Sequence, residues 1–328
     1  MTTRREFVTL VGGAATVWPV VARGQQAKMP AIGFLYAGSS GPVAHQMTVF
    51  RRVLAEAGYV ENQNVTIEYR YAEGQYDRLP ELAADLVRRQ VAVIVATPNT
   101  SSARAAKAAT ATIPIVFSVS DDPVKLGLVA SLSRPGANVT GVNYFISELG
   151  AKRLGLLREL LPAAARVGVL VNPSSTGTES FIKDLTVAAD AIGIQLQVVS
   201  ARDIHEIETA LATLARDKAD ALMVAPDTFF SNLRVQIVTL AARHAVPAIY
   251  TVREYVQNGG LMSYGPSVPD AYRQLAIYAG RILKGARPAD LPVVQSSKID
   301  LIINLPTAQS LGLTVPPTLL ARADEVIE

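Results

Sequence analysis

The chain has 328 residues, enough for two domains with full cores. With 49% hydrophobic and 18% charged residues it lacks the composition of a disordered chain. Most of its formal charge of +3 sits in Arg4, Arg5 and Arg23, which leaves no basic face for nucleic acid, and with no cysteine there is no disulfide framework, thiol nucleophile or Cys-based metal site.

The N-terminus reads first. Arg4 and Arg5 form a twin-arginine pattern, an apolar Gly/Ala-rich run spans 8–21, and Ala22-Arg23-Gly24 offers small residues around one position. Charged start, short apolar run and small-residue exit describe a secretory signal peptide over residues 1–24, and the twin arginines suggest the export route for folded proteins. The run falls short of the ~20 residues that span a bilayer, and Pro19 interrupts it.

Strand and helix then alternate. Residues 32–36 read as a buried strand and 43–57 as a helix ended by Gly58, with Val43, Met47, Phe50, Val53 and Leu54 at helical spacing. A strand at 65–71, a helix at 79–89, a strand at 91–96, an Ala-rich helix at 101–110 and strands at 113–119 and 139–142 follow. A continuous apolar strand such as 91–96 belongs in a parallel sheet covered on both faces. A second run has helices at 152–161, 178–192, 204–215 and 232–244, with strands at 167–171, 196–199, 221–224 and 248–250. A strand at 260–265, a helix at 268–283, a strand at 299–304 and a short helix at 306–311 close the chain.

The two runs repeat each other. Ala31-Ile32-Gly33-Phe34-Leu35-Tyr36 is echoed by Arg166-Val167-Gly168-Val169-Leu170-Val171, and Ala96-Thr97-Pro98-Asn99-Thr100 by Val224-Ala225-Pro226-Asp227-Thr228. Ile113-Pro114-Ile115-Val116-Phe117 returns as Val246-Pro247-Ala248-Ile249-Tyr250. The pattern predicts an α/β fold of two similar doubly wound parallel-sheet lobes, with a cleft between them for a small molecule.

Several segments together resemble the substrate-binding proteins of ABC importers, with the type I periplasmic binding fold, and more narrowly the group related to a tryptophan-binding receptor. They are Pro30-Ala31-Ile32-Gly33-Phe34-Leu35, Gly58-Tyr59-Val60-Glu61-Asn62-Gln63-Asn64-Val65, Ala96-Thr97-Pro98, Asp121-Asp122-Pro123-Val124, the stretch 133–142, and Ile303-Asn304-Leu305-Pro306. The resemblance implies a three-segment hinge. It places 28–142 plus 267–287 in an N-terminal lobe and 143–266 plus 288–328 in a C-terminal lobe. It further implies a periplasmic, monomeric receptor that closes on an amino acid, possibly aromatic, and delivers it to a membrane permease. A ligand-sensing subunit and a secreted two-lobed enzyme are the alternatives. No cofactor is expected.

Ligands of open parallel sheets bind beyond the carboxyl ends of the strands. Ser39, Ser40 and Ser101 sit where helices begin, with Thr100 and Ser102. They can take a ligand carboxylate or simply cap the helices. Asp121 and Asp227 follow buried strands and suit a ligand ammonium, or a turn and a cap. Thr97, Asn99, Ser120 and Asn172 lie in the same strand-end loops. Asn143 falls at the first crossover. Tyr250 and Tyr264, ahead of Tyr36 and Phe229, are candidates to pack a flat side chain, and Arg253 to hold a carboxylate or to be a solvated hinge residue. Asp227→Ala is expected to weaken binding and to leave the ligand-free melting temperature nearly unchanged. No G-x-S-x-G, Walker loop or H-E-x-x-H occurs, and His45, His205 and His244 lack metal-ligand spacing. The sequence therefore points away from an enzyme.

Overall fold

The computed structural model describes residues 29–146, 149–296 and 298–328. The expected signal segment, 1–24, lies outside them. The first run comprises β1 (Ala31–Tyr36), α1 (Ser40–Glu56), β2 (Thr66–Tyr71), α2 (Leu79–Arg88), β3 (Val93–Thr97), α3 (Thr100–Ala109), β4 (Ile115–Val119) and β5 (Val139–Asn143). The second comprises α4 (Gly150–Leu160), β6 (Arg166–Val171), α5 (Thr178–Ala191), β7 (Gln195–Ser200), α6 (Ile204–Arg216), β8 (Ala221–Val224), α7 (Thr228–Asn232), α8 (Arg234–Arg243), β9 (Ala248–Tyr250), α9 (Arg253–Gln257) and β10 (Met262–Pro266). Then come α10 (Val268–Leu283), β11 (Val294–Gln295), β12 (Ile299–Asn304), α11 (Leu305–Ser310), α12 (Pro317–Leu320) and β13 (Glu325–Ile327).

Among the described residues these strands form two sheets, ordered β11-β5-β4-β3-β1-β2 and β13-β12-β10-β9-β8-β6-β7. Each is covered on both faces, which is why the central strands read as unbroken apolar runs. In the first lobe Ile32, Phe34, Val93 and Val95 pack under α1 and α10, while Leu35, Ile94 and Ala96 pack under α2 and α3. The second lobe repeats this: Val167, Val169 and Val171 face α4 and α5, and Leu170, Leu222 and Val224 face α6 and α8. The two-residue period of a strand sends neighbours to opposite cores.

The repeated glycine has a packing reason. A Cβ on Gly33 would lie 3.0 Å from the methyls of Leu86 on α2, and one on Gly168 would lie 2.5 Å from Leu214 on α6. In both lobes the missing side chain lets a helix sit close over the first strand of the sheet.

The chain passes between lobes after β5, after β10 and after β11. The passages lie side by side: Ser296 N–H donates to the Asn143 carbonyl at 2.9 Å, and Ser267 N–H to the Lys298 carbonyl at 3.3 Å. The sequence boundary at 287/288 differs from this arrangement. β11 pairs with β5, Val294 opposite Val142, and Leu291 and Val293 are buried in the first lobe's cores. The return to the second sheet therefore falls between Gln295 and Ile299. The two parallel-sheet lobes appear as expected, with one antiparallel pair in the second, β10 and β12, Met262 opposite Ile303. β10 runs toward the passages and β12 comes from them, so neighbours must run in opposite directions.

Candidate functional site

A cavity of about 80 Å³ lies between the lobes at the strand ends. The first lobe supplies Asn99 and Thr100 at the start of α3, Ser120 and Asp121 after β4, and Tyr144 and Ile146 from the first passage. The second supplies Ser175, Thr178 and Phe181 around the start of α5, Asp227, Thr228 and Ser231 at α7, and Thr251 and Val252 after β9.

The repeat places a cap on each side. Asn99 Oδ1 accepts from the Ser101 N–H at 2.6 Å, and Asp227 Oδ1 accepts from the Phe229 N–H at 2.9 Å. Each polar residue ends the turn after its strand and starts the next helix, satisfying N–H groups that a helix leaves unpaired. Asp227 does more than cap. Its Oδ1 also accepts from Phe230 N–H and from Asn172 Nδ2, both at 3.2 Å. Its Oδ2 accepts from the Tyr76 hydroxyl of the other lobe at 2.8 Å. Burial pushes its carboxyl above the usual 3.8, against the pull of these donors. Burial, followed by the Asp227 charge, pushes the Tyr76 hydroxyl well above its ordinary range.

Asn172 holds the facing loop together. Its Oδ1 accepts from the Ser174 N–H at 2.9 Å, and its carbonyl accepts from the Ser175 N–H at 3.1 Å and the Thr178 hydroxyl at 2.5 Å. Asp121 Oδ2 accepts from the Thr100 hydroxyl at 3.0 Å. A Cβ at Gly177 would lie 2.9 Å from that same Oδ2, so the backbone ahead of α5 closes over Asp121 from the opposite lobe. The turn before Pro123 is held by Asp122, whose Oδ1 accepts from the Val124 N–H at 2.8 Å.

Of the residues singled out from sequence, Asn99, Ser120, Asp121 and Asp227 line the cavity, and Asn172 braces Asp227. Thr97 is buried behind it, sharing a hydrogen bond of 2.5 Å with Ser118. The others stand elsewhere. Ser39 and Ser40 open α1 outside the cavity, and Ser40 is exposed. Ser101 gives its N–H to Asn99 and does not line the cavity. Asn143 is fully buried at the passage, with Oδ1 accepting from the Phe145 N–H at 2.9 Å. Tyr250 is buried in the second lobe, stacked on Tyr255 with ring centroids 4.6 Å apart. Tyr264 packs against the other core of that lobe. Arg253 is paired with Glu325 at 2.6 Å.

The aromatic surface of the cavity comes instead from Tyr144 and Phe181. Tyr144 follows β5, the last strand of the first run, and a residue in a passage between lobes faces both; that was the available signal. Phe181 lies on the buried side of α5 and reads from sequence as core. No Lys or Arg lines the cavity among the described residues, whereas two carboxylates do. It is a setting for a cation-bearing guest whose anionic part, if any, meets N–H groups and hydroxyls.

Among the described residues no helix is long and apolar enough to cross a membrane. Residues 42–327 match the family described as ABC transporter substrate binding protein. A tyrosine-binding protein of Clostridioides difficile strain R20291 is 28% identical over 268 residues, covering 80% of this chain and 75% of that protein. The ABC domain from Streptococcus pneumonia in complex with L-Trp superimposes with a TM-score of 0.81 at 26% identity, over 91% of this chain and 99% of that one. A ligand-free, open substrate-binding protein with adhesive properties from Clostridium difficile, with the same identity and coverage, gives 0.63. The chain belongs to the ABC transporter substrate-binding protein family.

Proposed function

We propose that the protein is an extracytoplasmic receptor that binds an amino acid, aromatic by preference, between its lobes and presents it to a membrane permease. The observation that carries this reading is the cavity lining: two carboxylates, no basic side chain, and the starts of α3 and α5 facing one space. Among the described residues Asp227 Oδ2 has a single donor, Tyr76, which leaves it a lone pair for a ligand ammonium beside Asp121. The ligand carboxylate meets the Thr100, Ser175 and Thr178 side, where helix N-termini favour negative charge. Tyr144 and Phe181 give the ring its apolar walls. The L-Trp complex and the tyrosine-binding relative support an aromatic ligand, each being about a quarter identical to this chain.

Closure follows from the same contacts. A ligand held by both lobes stabilises the state in which both can reach it. The higher TM-score to the L-Trp complex than to the open, ligand-free structure supports a closed arrangement here. The charged, apolar and small-residue order of residues 1–24 supports export.

The test is a thermal-shift screen of the chain from residue 25 onward against the common L-amino acids and a set of sugars. A ligand at a hundred times its Kd adds about 2.7 kcal/mol to the folded state. Stabilisation by aromatic amino acids and by no sugar is the expected outcome; no response to any amino acid would reject the reading.

A further inference from the structure

A second compartment, of about 70 Å³, adjoins the first and shares Ser231, Val252 and Val268 with it. Its walls also come from both lobes: Tyr36, Gln46 and Tyr272 on one side, Asn232, Arg234 and Glu254 on the other. Gln46 Nε2 donates to Glu254 Oε1 across the gap at 3.2 Å, and Arg234 Nη1 donates to the Ser231 carbonyl at 2.9 Å. The contact to Glu254 fixes which end of the Gln46 amide is oxygen.

Polar atoms remain. Gln46 Oε1, Glu254 Oε2, Asn232 Oδ1 and Arg234 Nε are sealed from solvent and have no hydrogen-bond partner among the described residues. Gln46 as a whole is only 8% exposed. Buried polar atoms left unpaired are rare, because each forfeits its bond to water. These acceptors from both lobes and one charged donor belong to residues that line the compartment, and Gln46, Arg234 and Glu254 also line a cavity of about 300 Å³ with His45 and Arg253. An ammonium only donates and a carboxylate only accepts, whereas a hydroxyl does both. Tyr36 and Tyr272 make the adjoining walls aromatic, which suits a hydroxyl carried on a ring. Size points the same way. A cavity that holds benzene measures about 150 Å³, so at about 80 and 70 Å³ neither compartment houses an aromatic amino acid alone.

We propose that the second compartment is the specificity subsite, taking the hydroxyl of a phenolic side chain between Glu254 and Arg234 while the amino-acid head group stays with Asp121 and Asp227. This rests on the amino-acid reading above and adds the part of the ligand that is discriminated. Gln46 and Glu254 act as specificity residues, and their bond to each other closes the subsite.

The experiment is calorimetric titration of the wild type, Glu254→Gln and Gln46→Met with L-tyrosine and L-phenylalanine. A site built to bond a hydroxyl rejects the analogue that lacks it. The wild type should bind tyrosine at least about tenfold more tightly than phenylalanine. Each variant should lower that ratio severalfold, weakening tyrosine by at least one lost hydrogen bond more than phenylalanine. Any effect on lobe closure weakens both ligands alike and cancels in the ratio. Equal wild-type affinities would overturn the proposal, meaning that water satisfies the compartment. Equal weakening of both ligands in both variants would also overturn it, assigning the pair to closure or to the head group. Binding of neither amino acid by the wild type would overturn the parent reading as well.

Discussion

Three donors on Asp227 Oδ1 and one on Oδ2 divide that carboxylate between holding α7 and facing the cleft. The expectation that Asp227→Ala spares ligand-free stability therefore changes. Losing an N-cap acceptor costs about 1 kcal/mol, and the buried Tyr76 hydroxyl would lose its acceptor too. The ligand-free protein should melt lower as Asp227→Ala, whereas Asp227→Asn retains the capping oxygen, removes the charge and puts an amide donor where the Tyr76 hydroxyl found an acceptor. The sign of the pH effect follows from burial. Because the folded carboxyl titrates above its ordinary 3.8, the stability it contributes is present below that value and is lost as pH rises through the raised range. The ammonium needs the ionised form, so ligand-induced stabilisation should grow over that same rise. Thermal melts with and without ligand across pH check this, and Asp227→Asn should flatten the difference. Asp227 and Asn99 were legible in the sequence as polar residues at equivalent strand ends. Tyr144 and Phe181 were not, because an aromatic beside a strand looks the same in sequence whether core or the other lobe covers it.

At the level of elements, glycine positions separate tolerable crowding from intolerable crowding. A Cβ on Gly33 would meet the flexible methyls of Leu86 at 3.0 Å, but one on Gly265 in β10 would stand 1.7 Å from the Thr251 carbonyl oxygen. Backbone cannot step aside as a side chain can. Gly265→Ala should cost more than the 1–3 kcal/mol typical of overpacking, and Gly33→Ala less than Gly265→Ala; urea unfolding of both variants measures the order. Gly265→Ala would also displace Thr251, which lines the cavity. The long elements were readable because their apolar periods are long: the 268–283 helix and the 299–304 strand appear with those bounds. Short ones were not. β11 has two residues and β13 three, too few to show a period. The helix expected at 232–244 appears as α8, from Arg234 to Arg243, and the five-residue α7 started by the Asp227 cap, which was not expected, precedes it.

For the whole molecule, hydrogen bonds among the described residues tie the lobes across the cleft: the Tyr76 hydroxyl donates to Asp227 at 2.8 Å and accepts from the Phe229 N–H at 3.4 Å, and Gln46 donates to Glu254 at 3.2 Å. Under the closure proposed above, bonds made only in the closed state would bias the equilibrium toward it without ligand. Tyr76→Phe removes those of its hydroxyl and leaves its ring. The ligand-free variant should have a larger radius of gyration by small-angle scattering than the wild type, and the two should coincide once saturated with ligand. Equal ligand-free radii would remove Tyr76 from the closing device. The sequence by itself determined the two-lobed α/β plan and the pairing of strand-end caps, because these depend on local period and on residues that recur within the chain, and its resemblance to known substrate-binding proteins pointed to the family. Which of the strand-end residues face a common space was decided only in three dimensions. Ser39 and Asn99 both follow first-lobe strands, yet only Asn99 lines the cavity. The difference lies in how the second lobe is set against the first by the three adjacent passages, a relation between residues more than a hundred positions apart that no local pattern encodes.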